Sequence, residues 1–157
     1  MKRTASNAFV QVAAQGAMLQ KFGEAIGKKL ATTQVLLDGI LVQIDGYCET
    51  SEEIVLAECW AHIGKAKVAQ KHKIAADVLK LSIASFAIRK QHPEKAVSCY
   101  LVFADEDAAD VVRSSSWISA AAQHYGVSPH VVQLDQATIQ AIREAQKGQD
   151  LRDDTQT

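Results

Sequence analysis

The dipeptide Asp38-Gly39 constrains this chain more than any other short segment, because it separates two runs of β-forming residues. The surrounding sequence TQVLLDGILVQIDGYC places apolar side chains on both sides of it. Asp-Gly is favoured in two-residue hairpin turns, where both central residues take positive φ angles. The sequence therefore predicts two antiparallel strands joined at this turn, and a third strand follows over about Glu53 to Ala61.

Helical and strand patterns alternate along the rest of the chain. Apolar residues at helical spacing predict a first helix over about residues 7–30, and Ala, Lys and Leu favour a second from Gly64 to His92-Pro93. Further expectations are a buried strand in VSCYLVFAD, a helix over 107–125, a strand over 130–134 and a helix from 136 to about 147. The order α-β-β-β-α-β-α-β-α predicts an α/β fold, a mixed sheet flanked by helices. We expect one domain over residues 1–150 and a flexible tail over 151–157.

Composition limits the classes of function. The net charge of −1 gives no overall attraction to nucleic acid, so such a role needs a local basic patch. No apolar run is long enough to span a bilayer, so we expect no membrane partner. The three cysteines, without a CxxC pair, predict reduced thiols in a cytoplasmic protein. Gln11, Gln15 and Gln20 interrupt the N-terminal apolar stretch, which favours a helix over a signal peptide.

Glu58 is the residue that points most directly to chemistry. It lies in the apolar strand IVLAECWA, where an ionised carboxylate needs a partner or a cation. Asp45 ends the preceding strand, so antiparallel pairing could bring both carboxylates to one end of the sheet. Two such groups suit Mg²⁺ or Mn²⁺, which prefer oxygen ligands. The alternative is that Asp45-Gly46 ends a strand and Glu58 makes a structural salt bridge.

The second helix carries a polar stripe beside its apolar one. Gln70, Lys73, Asp77 and Lys80 are spaced three, four and three residues apart and share one face. Residues at such a border can line a cleft at the sheet edge, with the lysines directed at phosphate. The alternative is an ordinary solvated face.

Together these residues resemble the PD-(D/E)XK nuclease superfamily. An Asp, a strand with Glu, a Gly turn and a helix with Gln and Lys follow the superfamily pattern. The run AECWAHIGKAKVAQKHKIAADVLKL is similar to small bacterial and phage-associated members. The resemblance covers about Val35 to Phe103. It implies a restriction-endonuclease-like α-β-β-β-α-β core, here extended by a C-terminal α-β-α.

The resemblance also implies roles for individual residues. Asp45 and Glu58 match the motif acids that hold Mg²⁺ or Mn²⁺, and the carbonyl of Cys59 matches a main-chain ligand. Gln70 matches a helical Gln near the nucleic acid. The motif Lys is replaced by Trp60, so a cation from the helix would have to substitute. We expect Lys73 in that role. Lys67 and Lys80 are its substitutes.

The expected function is a metal-dependent nuclease, with DNA favoured over RNA as substrate and Lys65, Lys67, Lys73 and Lys80 as nucleic-acid-binding residues. The resemblance allows a homodimer, because small nuclease domains often need a second copy to grip a duplex. Two weaker site candidates are Glu24 on the first helix and His62 near the cleft. One alternative is an inactive protein of the same fold that binds nucleic acid or a protein partner. Another is an unrelated α/β protein with Glu58 as a structural acid.

Overall fold

The structure is a computed structural model that describes residues 2–153, with side chains described from residue 7 to 149. The described residues form five strands and five helices. The strands are β1 (Ala31–Leu37), β2 (Ile40–Glu49), β3 (Glu53–Trp60), β4 (Ala96–Phe103) and β5 (Val127–Val131). The helices are α1 (Lys2–Ile26), α2 (Val68–Gln91), α3 (Glu106–Arg113), α4 (Trp117–His124) and α5 (Gln136–Asp153).

The sheet is mixed and follows the chain order β1-β2-β3-β4-β5. The first three strands pair antiparallel, whereas β4 is parallel to β3 and β5 is parallel to β4. The predicted Asp38-Gly39 turn is confirmed, with φ angles of 47° and 85° at its two residues. These positive angles match the turn type that fits the twist of a hairpin. The predicted α/β fold with a mixed, helix-flanked sheet is therefore present.

Alternation along the central strands places apolar side chains on both faces of the sheet. On one face, Leu56 of β3 and Leu101 of β4 pack with Ile74 and Leu81 of α2. On the other face, Val55 and Val102 pack beneath α1 and α5 in a second cluster. Because β3 is covered on both sides, a charge in it is buried. Within residues 2–153, no helix combines the length and apolar character that crossing a bilayer requires.

Two sequence expectations about the C-terminal elements are wrong. The single helix predicted over 107–125 is two helices, because the chain leaves the helical path after Arg113 and Ser116 caps α4 by accepting a hydrogen bond from the Ser119 amide. The fifth strand lies at Val127–Val131 instead of 130–134 and includes Pro129. Proline is tolerated there because β5 is an edge strand. Of the predicted tail, residues 151–153 continue α5, and residues 154–157 lie outside the described residues.

Candidate functional site

Asp45 and Glu58 face each other at the end of the β2–β3 pairing. The register joins Gly46 to Ala57, which puts these two residues at the next paired position. At this position, backbone amides donate hydrogen bonds to side-chain carboxylates of the opposite strand. The Asp45 amide donates to Oε1 of Glu58 at 3.2 Å, and the Cys59 amide donates to Oδ2 of Asp45 at 3.0 Å. Each carboxylate is thereby fixed by the opposite strand.

Glu58 is almost fully buried, with 3% of its surface exposed. Its position between Leu56 and Trp60 directs it to the face of the sheet that α2 covers. Lys80 of α2 meets it there, with Nζ 2.6 Å from Oε2 of Glu58 and 3.3 Å from the carbonyl oxygen of Gln43. Desolvation by burial raises the pKa of Glu58 from its ordinary value of 4.5 to about 7, although the hydrogen bond from Lys80 opposes the shift. The hydrogen bond from Lys80 therefore offsets only part of the cost of burying the charge of Glu58.

A cavity of about 240 Å³ opens beside these two carboxylates. It lies at the carboxyl end of β3, where parallel strands of an α/β sheet commonly present ligands. Its walls come from α1, from β2 and β3, from the segment after β3 and from α2. The lining residues are Gln11, Gln15, Asp45, Glu58, Cys59, Trp60, Ala61, His62, Lys73 and Asp77.

Asp77 also belongs to the site, although the sequence pattern predicts only its place on the polar stripe. It lines the same cavity and is half-buried. Desolvation by burial raises its pKa from 3.8 to about 6, the positive charge of Lys80 opposes the shift, and the negative charge of Asp45 adds to it. In the sequence, its place on the stripe between Lys73 and Lys80 indicates that it shares a helix face with these lysines. The helical period gives the shared face, whereas the depth of each residue depends on how α2 docks on the sheet.

Trp60 and His62 form a stacked pair at the edge of the cavity. Their ring centroids lie 4.3 Å apart and their planes differ by 22°. The indole is buried, with 5% exposure, and belongs to the core under α2. Position 60, where the resemblance implies a lysine, is therefore occupied by a core side chain that stacks on an imidazole.

The other predicted site residues take different positions. Gln70 accepts a hydrogen bond from the Lys67 amide at 2.8 Å and helps to start α2. Lys65 and Lys67 are exposed, and Lys73 is exposed at the cavity. The Cys59 thiol faces the α1 side of the sheet, and its burial raises its pKa, so it stays a neutral thiol.

Glu24 belongs to a different part of the surface. It forms an ion pair with Lys21 and lines a separate cavity near Lys28 and Lys29. The structure therefore does not bring it to Asp45 and Glu58.

The oxygen donors at the site can be compared with what a divalent ion needs. No cluster of three or more His, Cys, Asp or Glu side chains within the described part of the chain has the arrangement of a metal site. The facing pair Asp45 and Glu58 still suits Mg²⁺, which is commonly held by one or two carboxylates together with water and substrate phosphate. Lys80 contacts one oxygen of Glu58, so an ion would have to share that carboxylate with it or displace it.

Comparisons with protein-family models, with curated proteins and with solved structures found no match.

Proposed function

We propose that this protein is a metal-dependent phosphodiesterase that hydrolyses the backbone of nucleic acid, with DNA preferred over RNA. The observation that carries the proposal is the facing pair Asp45 and Glu58, fixed across β2 and β3, with a lysine of the next helix in contact with Glu58. The acid pair and the helical cation are the parts that phosphate chemistry requires.

The arrangement of elements supports the proposal. The chain runs α1, the antiparallel strands β1 to β3, α2 and then β4 parallel to β3. This order agrees with the α-β-β-β-α-β core that the resemblance implies. The two acids lie on the second and third strands and the cation on the following helix, as the same pattern implies.

Each site residue has a separate role in the proposed reaction. Asp45 and Glu58 would hold Mg²⁺ or Mn²⁺, which when bound lowers the pKa of a water molecule and neutralises charge on the phosphate. Lys80 holds Glu58 in place before substrate binds. Lys73, which lines the cavity and is exposed, attracts the phosphate of the incoming strand and supplies positive charge at the reacting phosphate. The proposal thus keeps Lys73 in the role expected of it, with Lys80 as a support for Glu58.

A second candidate is an inactive protein of the same fold that binds nucleic acid. It is favoured by Trp60, at the position where the resemblance implies a lysine, and by the direct contact of Lys80 with Glu58, which partly compensates the carboxylate without an ion. This candidate predicts binding that weakens steeply with salt, because each neutralised phosphate releases counterions. It also predicts no turnover with any divalent metal.

The test is a cleavage panel of single- and double-stranded DNA and RNA with Mg²⁺ or Mn²⁺. We expect EDTA to abolish cleavage and Glu58→Gln or Asp45→Asn to lower it at least 100-fold. Asp38→Asn is the matched control, because Asp38 is an exposed acid at the hairpin turn, where Asn also tolerates a positive φ. Cleavage that survives EDTA or Glu58→Gln would contradict the proposal. Salt-sensitive binding without cleavage would favour the second candidate.

A further inference from the structure

Trp60 and His62 form a stacked aromatic pair that lines the cavity. Trp60 is held by the core, whereas His62 is only partly buried and lines the same cavity as Asp45 and Glu58. An aromatic ring that is fixed on one face by another ring offers a flat surface for a base, and stacking accepts any base because each has a π-face.

The backbone beside His62 is fixed by two distant side chains. Gln146 of α5 accepts a hydrogen bond from the Ile63 amide at 2.8 Å and donates one to the Ile63 carbonyl at 3.0 Å. Asp105, just after β4, accepts a hydrogen bond from the Gly64 amide at 2.8 Å. The segment that carries His62 is therefore held from two elements, which lowers the entropy cost of ordering it on a ligand.

Positive charge lies on the chain that follows. Lys65, Lys71 and Lys73 are exposed within the eleven residues that follow His62. An aromatic surface beside exposed lysines is the combination that binds single strands, because the lysines follow the backbone while the ring stacks a base.

The size of the cavity limits what can enter it. About 240 Å³ lies below the usual range for a small-molecule site, so a base pair does not fit inside the cavity. A base that enters it beside Asp45 and Glu58 must therefore be unpaired.

We propose that His62, backed by Trp60, stacks one unpaired base of the strand whose phosphate enters the cavity, so that the site takes single strands, flaps or frayed ends in preference to intact duplex. The proposal rests on the nucleic-acid ligand of the proposed function and narrows its substrate class. Gln146 and Asp105 act as positioning residues for this platform.

Binding to the full chain in EDTA tests the platform separately from catalysis. The probe is a labelled DNA oligonucleotide, single-stranded or annealed as a blunt duplex, followed by fluorescence anisotropy at low salt. We expect tighter binding of the single strand and about a 5-fold or greater loss with His62→Ala, since each stacked base contributes strongly to affinity. His62→Phe should retain binding, because its ring still stacks. His72→Ala is the matched control, an exposed histidine on α2.

An abasic scan sharpens the result. If one base is stacked, removal of a base should weaken binding at one position of the oligonucleotide, and His62→Ala should abolish that position dependence. Equal affinity for single strand and duplex, or equal losses with His62→Ala and His62→Phe, would overturn the platform. Because these measurements need no turnover, a failed cleavage panel would remove the phosphodiesterase proposal and leave this one standing. Cleavage that His62→Ala leaves unchanged would keep the phosphodiesterase proposal and remove the platform.

Discussion

The ammonium group of Lys80 lies 2.6 Å from the carboxylate of Glu58, which is 3% exposed, whereas the side chain of Lys80 itself is 29% exposed. The two partners therefore differ in the cost of breaking the contact. The ammonium group of Lys80 can be hydrated by solvent, whereas the carboxylate of Glu58 stays buried. Removal of either partner should therefore change the free energy of unfolding by a different amount.

Lys80→Met should destabilise the protein more than Glu58→Gln. Removing Lys80 leaves a buried charge without its partner, a loss of ~3–5 kcal/mol for fully buried pairs, and partial exposure of Lys80 reduces it here to about 2 kcal/mol. Removing the charge of Glu58 leaves a lysine that reaches solvent and removes a carboxylate whose burial is unfavourable when it is ionised, so we expect a change in stability of less than about 1 kcal/mol in either direction. The measurement is urea unfolding of both variants at pH 8. The double variant should recover part of the loss, and additive losses would argue against the coupling.

Stability should fall as the pH rises from about 4 to about 7. The folded-state pKa of Glu58 is raised to about 7 and that of Asp77 to about 6, from ordinary values of 4.5 and 3.8. The folded state thus binds more protons than the unfolded state in this window, so the contribution of each group is complete below its unfolded pKa and is lost as the pH rises through its folded pKa. Urea unfolding across this range should show the slope, and Glu58→Gln combined with Asp77→Asn should flatten it. A stability that rises over this window in the wild type, with no change in the double variant, would contradict the shifts.

Divalent metal should stabilise the protein more at pH 8 than at pH 5.5. A carboxylate ligand must be deprotonated to bind, and Glu58 with a pKa of about 7 is mostly protonated at the lower pH. At a metal concentration of about 100 times Kd the expected gain is ~2.7 kcal/mol, seen as a rise in Tm with Mn²⁺ or Mg²⁺. Asp45→Asn should remove the gain and Asp38→Asn should keep it. An equal rise in Tm for both variants would place the ion elsewhere.

Two glycines of α1 should respond oppositely to alanine. A Cβ at Gly16 would meet no atom within 4 Å, whereas a Cβ at Gly23 would overlap the backbone carbonyl oxygen of Lys28. Gly16→Ala should therefore stabilise the helix by about 0.5–1 kcal/mol, because alanine loses less backbone entropy. Gly23→Ala should destabilise the protein by about 1–3 kcal/mol, since the turn after α1 must shift. Thermal unfolding compares the two. A change in stability of the same sign for both variants would show that the close approach of Gly23 to Lys28 does not determine the effect of the substitution.

The sequence predicts local structure and the facing acids better than it predicts how helices dock. Asp38-Gly39 and the alternating pattern around it indicate the hairpin because turn chemistry and strand period are local. That hairpin and the short turn after it are enough to anticipate Asp45 beside Glu58. The break between α3 and α4 spans three serines, of which Ser116 caps α4, inside a sequence of otherwise helical period.

The sequence does not indicate which lysine of α2 contacts Glu58. The helical period places Lys73, Asp77 and Lys80 on one face, but it does not say which turn of the helix lies over Glu58. That depends on how Ile74, Val78 and Leu81 pack on the sheet, which is a property of the assembled core. The contact of Lys80 and the burial of Asp77 follow from this docking and have no signature in the sequence alone.

Gln146 and Ile63, joined by two hydrogen bonds, are separated by 83 positions in the chain. We expect a contact of such sequence separation to form late, because closing a long loop costs entropy before the contact can stabilise it. During synthesis, the strands that carry Asp45 and Glu58 emerge long before the helix that fixes the neighbouring segment. We therefore expect Asp45 and Glu58 to come together across β2 and β3 before Ile63 is fixed, so that the segment carrying His62 becomes ordered only when α5 docks.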